Sequence, residues 1–369
     1  MQHKCPVSSC ELVYDHRNLA TADAVVFHLL DFTNTSDLPQ ERPTGQSWVV
    51  VTLEAPPIAA MHPVDYGRLR GVINWTMSYR RDSEIVVPYG RTVPKELLDT
   101  KINEQESLES RDFWSEKTSG HYVAWMVSHC ATDSRREWYV KELAKYIKVD
   151  VFGKCGFKKC GKNISIKTIG SFDQDSCNDI TSKYFFYLSF ENSICEDYVT
   201  EKLFMPLQLG VVPVVLGGAD YNAIAPPESF VNALDFPTPE KLAQALLSIA
   251  ANRTLYNRFF KWREHYSVQL GHPFDPMICD LCARLHGLPQ QHERIQKTQG
   301  AVPGLVSRTL TPKWPNGTYR DLEDWFVLGS SCRRWWADAE DYRRHHNNLV
   351  NTPGLARQYS EEKIFGGLV

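Results

Sequence analysis

Residues 184–218 read YFFYLSFENSICEDYVTEKLFMPLQLGVVPVVLGG, and three elements follow one another there without a gap. Tyr184 to Phe190 is an aromatic and apolar run of strand length, too short and too rich in β-formers to be a helix. The polar turn Glu191-Asn192-Ser193 stops it. Asp197 or Thr200 is placed to cap a following helix, because a short side-chain oxygen accepts from a free backbone N–H. Leu203, Phe204 and Leu207 supply that helix's apolar face, and Val211 to Leu216 is a second buried strand closed by Gly217-Gly218. Strand, helix and strand at this spacing form a βαβ unit, which lays its helix on a parallel sheet. Ligands of open parallel sheets bind beyond the carboxyl ends of the strands, the end to which Asn192, Tyr198, Glu201 and Lys202 are carried. A cation in a first turn sits badly beside the helix's partial positive charge unless an anion joins it, so Lys202 points to a bound phosphate. The plainer reading of Lys202 is a solvated surface charge.

Upstream, residues 23–30 (ADAVVFHL) read as a first buried strand. Ser47 to Leu53 is a second, and it delivers Glu54 at its carboxyl end ahead of a proline-stiffened turn. Residues 74–90, NWTMSYRRDSEIVVPYG, give a strand, a charged turn, a short strand and a Pro-Tyr-Gly turn. Arg80, Arg81 and Asp82 suit a local ion-pair network, and Tyr89 is either a stacking face for a base or a packed turn residue. Residues 92–114 read as a helix and linker. Tyr122 to Ser128 then opens a second run of βαβ units, followed by a helix from Arg136 to Lys145 with Tyr139, Leu143 and Tyr146 on one face and a strand from Val149 to Gly153. After the central unit, Thr238 caps a helix with Pro239 at its first position and Leu242, Leu246 and Ile249 as its buried stripe. Arg253 to Tyr266 reads as one more helix. Residues 287–369 lack any comparable pattern, although Cys332 is placed to tie them down.

The 369 residues suffice for two ordinary domains. A formal net charge of −3 gives no reason to expect nucleic acid. Ten cysteines suit disulfides or metal sites; Cys279-x2-Cys282 and Cys155-x4-Cys160 lack the His pair that would complete a usual zinc set. Five N-x-S/T sites, at Asn34, Asn74, Asn163, Asn252 and Asn316, combine with the cysteines to favour an oxidising compartment. No apolar run approaches the roughly 20 residues of a membrane helix.

The stretch FENSICEDYVTEK (190–202) with VVPVVLGG (211–218) closely resembles the donor-binding motif of the α1,3-fucosyltransferase family, glycosyltransferase family 10. Residues 74–90 are similar to the segment that ends the core of the family's N-terminal domain. The resemblance implies an α/β fold of GT-B type, two Rossmann-like domains with the active site in the cleft between them. It suggests an acceptor-side domain at 1–115, a GDP-fucose-binding domain at 116–286 and an irregular tail at 287–369. It implies inverting transfer of L-fucose from GDP-fucose to the 3-OH of N-acetylglucosamine, with Glu54 as the catalytic base. Arg136 and Lys202 clamp the diphosphate, Tyr198 and Glu201 lie at the ribose and phosphates, Asn192 shares their loop, Tyr89 lies near the guanine, and Val127 and Ser128 lie beneath the nucleotide. His129 departs from the family's common asparagine. No metal ligands and no required cofactor are expected, Mn²⁺ being at most stimulatory, because Arg and Lys take a metal's place. The ending CDLCARLH (279–286) and the long tail look more like invertebrate core-type enzymes, which act on the innermost GlcNAc of N-glycans. Two alternatives stand beside this: a Lewis-type enzyme acting on Galβ1-4GlcNAc antennae, and a non-catalytic GDP-sugar or glycan binder. The expected location is the Golgi lumen, with membrane attachment through an N-terminal anchor absent from this chain.

Overall fold

The computed structural model describes residues 5, 7, 9–32, 38–97, 111–159, 177–270, 274–288 and 313–333. The glycosylation sequons at Asn34 and Asn163, most of the expected linker helix, Cys160 and the pair Trp335-Trp336 lie outside the described residues. Two all-parallel sheets organise the chain. The first runs β1 (Ala24–His28), β2 (Ser47–Thr52), β3 (Trp75–Ser78) and β4 (Ile85–Val86) in that spatial order. Next comes β5 (Gly90–Pro94), which belongs to neither.

The second sheet comprises β6 (Val123–Met126), β7 (Val149–Phe152), β8 (Phe186–Phe190), β9 (Val212–Leu216) and β10 (Val231–Asn232), in the order β10-β9-β8-β6-β7. Every residue of β8 and β9 is buried, as a central parallel strand covered on both faces requires. The chain enters at β6, steps outward to β7, then returns across β6 to β8. The order therefore reverses between β6 and β8, and that junction is the doubly wound fold's ligand crevice.

The helices are α1 (Pro56–Ala59), α2 (Arg136–Leu143), α3 (Cys177–Ser182), α4 (Glu201–Leu209), α5 (Pro239–Ala251), α6 (Arg253–Arg258) and α7 (Phe274–Leu285). Helix α5 is as expected: Thr238 accepts from the Lys241 N–H, and Leu242, Leu246 and Ile249 are buried. Helix α2 buries Tyr139 and Leu143 but leaves Tyr146 exposed, because the helix ends three residues short of it. The expected helix from Arg253 to Tyr266 is cut short at Arg258, and Tyr266 opens β11 (Tyr266–Leu270).

Strand β11 pairs antiparallel with β5, so residues 90–94 form a strand where a turn ending at Gly90 and a helix and linker from Thr92 were expected. The pairing joins segments over 170 positions apart, and no local pattern announces it. Gly90 is required there: a Cβ would sit 2.3 Å from the Phe204 ring of α4. Met277 of α7 packs with Val49, Met77, Ile85 and Val87 of the first sheet's core. Tyr319, Leu322, Trp325 and Phe326 of the tail join the same sheet's other core cluster, with Leu29, Trp48 and Val50. The described part of the tail is thus structural, not frayed.

Four disulfides are described: Cys5–Cys279, Cys10–Cys282, Cys130–Cys155 and Cys195–Cys332. Cys177 is disulfide-bonded as well. His286 lies beside Cys10 and Cys282, but those sulfurs are spent on each other. Among the described residues no helix is long and apolar enough to cross a membrane.

Candidate active site

The β6–β8 junction gathers the second sheet's contribution. Val127 follows β6 and is buried, with its N–H donating to the Phe152 carbonyl. Ser128 comes next and is exposed. The loop then dips against the end of β8, where the fully buried Ser134 donates its hydroxyl to the Glu191 carbonyl at 2.7 Å and its N–H to the Asn192 carbonyl at 3.0 Å. The Cys130–Cys155 bridge ties this loop to the one after β7. Arg135 adopts φ 54° as the residue before α2 and is exposed, whereas Arg136 is 4% exposed. Arg136 Nη1 donates to the Phe190 carbonyl at 2.6 Å, and its Nε is buried without a hydrogen-bond partner. Burial lowers its pKa, against the pull of Glu191. Asn192 Oδ1 is likewise buried and unpartnered. An unmet donor and an unmet acceptor thus stand near one strand end, each with capacity left for a polar partner.

Helix α4 holds Lys202 in a worked-out arrangement. Pro206 has no N–H to offer the carbonyl four residues back, which is that of Lys202. Ser189 of β8 fills the gap, donating its hydroxyl to the Lys202 carbonyl at 2.6 Å. The helix start is not capped as expected. Thr200 occupies the cap position but its hydroxyl makes no cap bond; it bonds the Glu191 carboxylate, as does its own N–H at 2.8 Å. Asp197 stands at φ 62° and its carboxylate faces Arg81 instead. Lys202 Nζ lies 3.4 Å from Glu191 and 3.1 Å from Glu201, so the anion that its position demanded is supplied by the protein itself. Burial works against the ammonium, but Glu191 and then Glu201 outweigh it and raise the Lys202 pKa. Burial pushes Glu201 up, yet Lys202 overrides this and holds it below the usual carboxylate range. For Glu191, which is 1% exposed, burial wins and the pKa is raised.

The first sheet contributes Glu54, one bend beyond β2. Burial raises its carboxyl above the usual range; Lys202 pulls it back, Glu201 pushes it up, and His129 and Tyr198 pull it back further. All four of those neighbours belong to the second sheet's loops or to helix α4, so the two halves meet at this carboxyl. The Tyr198 phenol, 2% exposed, lies against it and packs edge-on to Tyr79 with centroids 4.9 Å apart. Tyr89 is half-buried and donates to the Leu53 carbonyl at 2.6 Å, which pins the residue before Glu54. That is the packed-turn role, with no open stacking face needed to explain it.

Arg80 forks onto Asp82 at 2.8 and 2.6 Å, as a local network, but Arg81 reaches out to Asp197 at 2.7 Å. Glu54, Tyr89, Tyr198, Glu201, Lys202 and Arg136 are therefore linked electrostatically to one another, and Asn192, Val127 and Ser128 lie on the loops at the same strand ends. Sequence reasoning missed Glu191, Ser189 and Tyr79. Glu191 read as a turn residue, and the only available signal was an acid directly after a fully apolar strand.

The chain matches two family models: "Glycosyltransferase family 10 (fucosyltransferase) C-term" over residues 114–300 and "Fucosyltransferase, N-terminal" over residues 1–90. It is 36% identical to the α-(1,3)-fucosyltransferase C of Drosophila melanogaster over 345 residues, which span 89% of this chain and 71% of that protein. It is 37% identical to the α-(1,3)-fucosyltransferase 7 of Bos taurus over 325 residues, 87% of this chain and 78% of that protein. The glycoprotein 3-α-L-fucosyltransferase A of Drosophila melanogaster is 33% identical over 340 residues, 91% of this chain and 58% of that protein.

Proposed function

The chain belongs to glycosyltransferase family 10, the fucosyltransferases, and from that premise we propose that it is an α1,3-fucosyltransferase that moves L-fucose from GDP-fucose to the 3-OH of N-acetylglucosamine with inversion. The observation that carries the mechanism is the meeting of Glu54 from one sheet with Lys202, Glu201 and Tyr198 from the other. A sugar hydroxyl is a weak nucleophile. Glu54 takes its proton as O3 attacks the anomeric carbon, while the bond from that carbon to the GDP oxygen breaks on the opposite face. A carboxyl raised by burial is closer to the operating pH, which suits a general base. GDP leaves as a stable anion and needs positive charge, not a proton. Arg136 and Lys202 supply that charge, with Asn192 and Glu201 beside them and Tyr89 shaping the wall behind Glu54. With the leaving group stabilised by side chains, the reaction has no need of Mn²⁺, which at most stimulates.

The acceptor is the innermost GlcNAc of N-glycans. This reading rests on tail residues 319–326, which complete the first sheet's core, and on the likeness to a Drosophila enzyme whose name specifies glycoprotein. The 4-galactosyl-N-acetylglucosaminide 3-α-L-fucosyltransferase 9 of Mus musculus, 32% identical over 281 residues, favours a second reading, a Lewis-type enzyme acting on Galβ1-4GlcNAc. The disulfides fit an oxidising lumen, that of the Golgi. The test is a transfer assay with GDP-fucose and no added metal, offering a GlcNAc-terminated biantennary N-glycan and N-acetyllactosamine in parallel. Fucose on the reducing-end GlcNAc supports the core reading. Product on N-acetyllactosamine alone replaces it with the second. Binding of GDP-fucose without product on either overturns the enzyme reading in favour of a GDP-sugar binder.

A further inference from the structure

The tail enters the core of the first sheet and then crosses to the loop that carries Tyr198. Its hold on the first side is broad. Trp325 and Phe326 are buried, and Arg80 lies over the Trp325 ring at 4.9 Å and donates to Ser330 Oγ at 2.7 Å. Lys313 pairs with Glu84, whose carboxylate also accepts from Tyr319 Oη at 2.9 Å. From this base the chain reaches over to residues 194–197. The Glu196 N–H donates to the Ser330 carbonyl at 2.8 Å, the Arg333 N–H to the Ile194 carbonyl at 2.9 Å, and Cys332 is bonded to the fully buried Cys195. A separate tie comes from Arg81, whose N–H and Nε both donate to Asp197. Gly218 leaves room for the arrangement, since a Cβ there would stand 2.7 Å from the Cys195 carbonyl.

We propose that the Cys195–Cys332 bridge and the Arg81–Asp197 pair are positioning elements for donor binding: together they fasten loop 194–198 of the second sheet to the first sheet. Resting on the donor site argued above, the inference assigns the tail a role in catalysis. Tyr198 closes this loop and lies against Glu54, and Thr200 and Lys202 follow directly, so loosening the loop moves base, phenol and ammonium relative to one another. Neither tie touches substrate. Both act through Tyr198 and Lys202.

The experiment compares wild-type protein with two variants, Cys195→Ser/Cys332→Ser and Arg81→Gln, measuring GDP affinity by calorimetry and kinetics with donor and acceptor varied separately. The first variant leaves no unpaired thiol. The second alters a residue 30% exposed but leaves Asp197, 2% exposed, without its counterion, so melting temperature is measured alongside and Arg81→Lys serves as the charge-keeping control. Each should weaken GDP binding and lower kcat/KM for GDP-fucose by roughly ten- to hundredfold, the scale for misplacing a bound group by about 1 Å. The acceptor KM should hold, and Arg81→Lys should recover part of the loss. Removing the distant bridge, Cys5→Ser/Cys279→Ser, should lower the melting temperature without moving the donor constants. The inference is overturned if both variants bind GDP and turn over donor like wild type, or if they lose melting temperature alone. Failure of wild-type protein to bind GDP would sink the donor-site reading itself, and the inference with it.

Discussion

Glu54→Gln isolates the proton-accepting function, because the amide keeps the shape and burial of the carboxyl but cannot take the acceptor's proton. General-base catalysis by a positioned side chain contributes about 10²–10⁴-fold, which is about 3–5 kcal/mol of barrier, and kcat should fall by that factor. Donor affinity should hold or improve, since a negative charge facing Lys202 is removed from a site that must admit a diphosphate. Stability should move the other way. The folded-state pKa of Glu54 is raised by burial, so the fold favours the neutral carboxyl. That contribution is complete below the unfolded pKa and is lost as pH rises through the folded one. At pH 7 the wild type therefore carries a buried charge that the variant lacks, and the variant should melt higher, with the gap closing as pH falls through the acid range. The same pKa should appear in wild-type kinetics: kcat/KM climbs with pH through an acid limb lying above the usual carboxylate range. Steady-state kinetics, calorimetry with GDP and melting curves at several pH values check all four expectations. A variant within tenfold of wild-type kcat refutes the assignment of Glu54 as base, and one that melts lower at pH 7 refutes the burial argument for its raised pKa.

Trp325→Ala should cost about 3–5 kcal/mol in denaturant unfolding, the range for deleting a buried large aromatic, because the indole is 2% exposed and lies beneath Arg80; a cost under about 1 kcal/mol would mean that the tail is not part of the core. Arg136→Lys should raise the donor KM by roughly ten- to hundredfold, as expected for losing a charged hydrogen bond of about 1.5–3 kcal/mol, with the acceptor KM unmoved. Lys202→Met should both weaken GDP binding and destabilise the protein by about 3–5 kcal/mol, since it leaves Glu191 buried without its counterion. Adding Glu191→Gln should restore much of the stability but not the affinity, and recovery of both would show that Lys202 serves the fold alone.

The central βαβ unit was legible because its signals are local: an unbroken apolar strand, a polar turn, a helix face and a Gly-Gly stop. Glu54 was legible for the same reason, as an acid at the end of a Val-rich strand. What was not legible depended on distant partners. Residues 90–94 form a strand because β11 pairs with them, and nothing within that segment encodes the partner. The tail's apolar residues looked unpatterned because they complete the first sheet's core from outside it. Thr200 had the right chemistry for a cap, but Glu191 was a stronger acceptor nearby and took both its hydroxyl and its N–H. The reading of Lys202 as a cation in want of an anion was sound electrostatics. The structure adds two anions of the protein's own beside it, Glu191 and Glu201, which that reading did not foresee.

Those carboxylates bear on how the clamp divides its work. Three carboxylates, Glu54, Glu191 and Glu201, crowd against one ammonium and one guanidinium, so a diphosphate entering this crevice adds charge of the sign already in excess. The two cations do not stand equally ready. Lys202 is already balanced by Glu191 and Glu201 at ion-pair distance. Arg136 rests on the Phe190 carbonyl, with its Nε unmet. Backbone dipoles compensate a full charge less well than carboxylates do, so on this reading Arg136 is the group with more to gain from a phosphate. Lys202 then answers mainly to the charge that grows on the departing GDP. Glu54, on the other side of the crevice, is raised by its burial. Of the donor-side groups, Lys202 pulls it down and Glu201 pushes it up, so the charge balance of the clamp also sets how readily the base takes a proton.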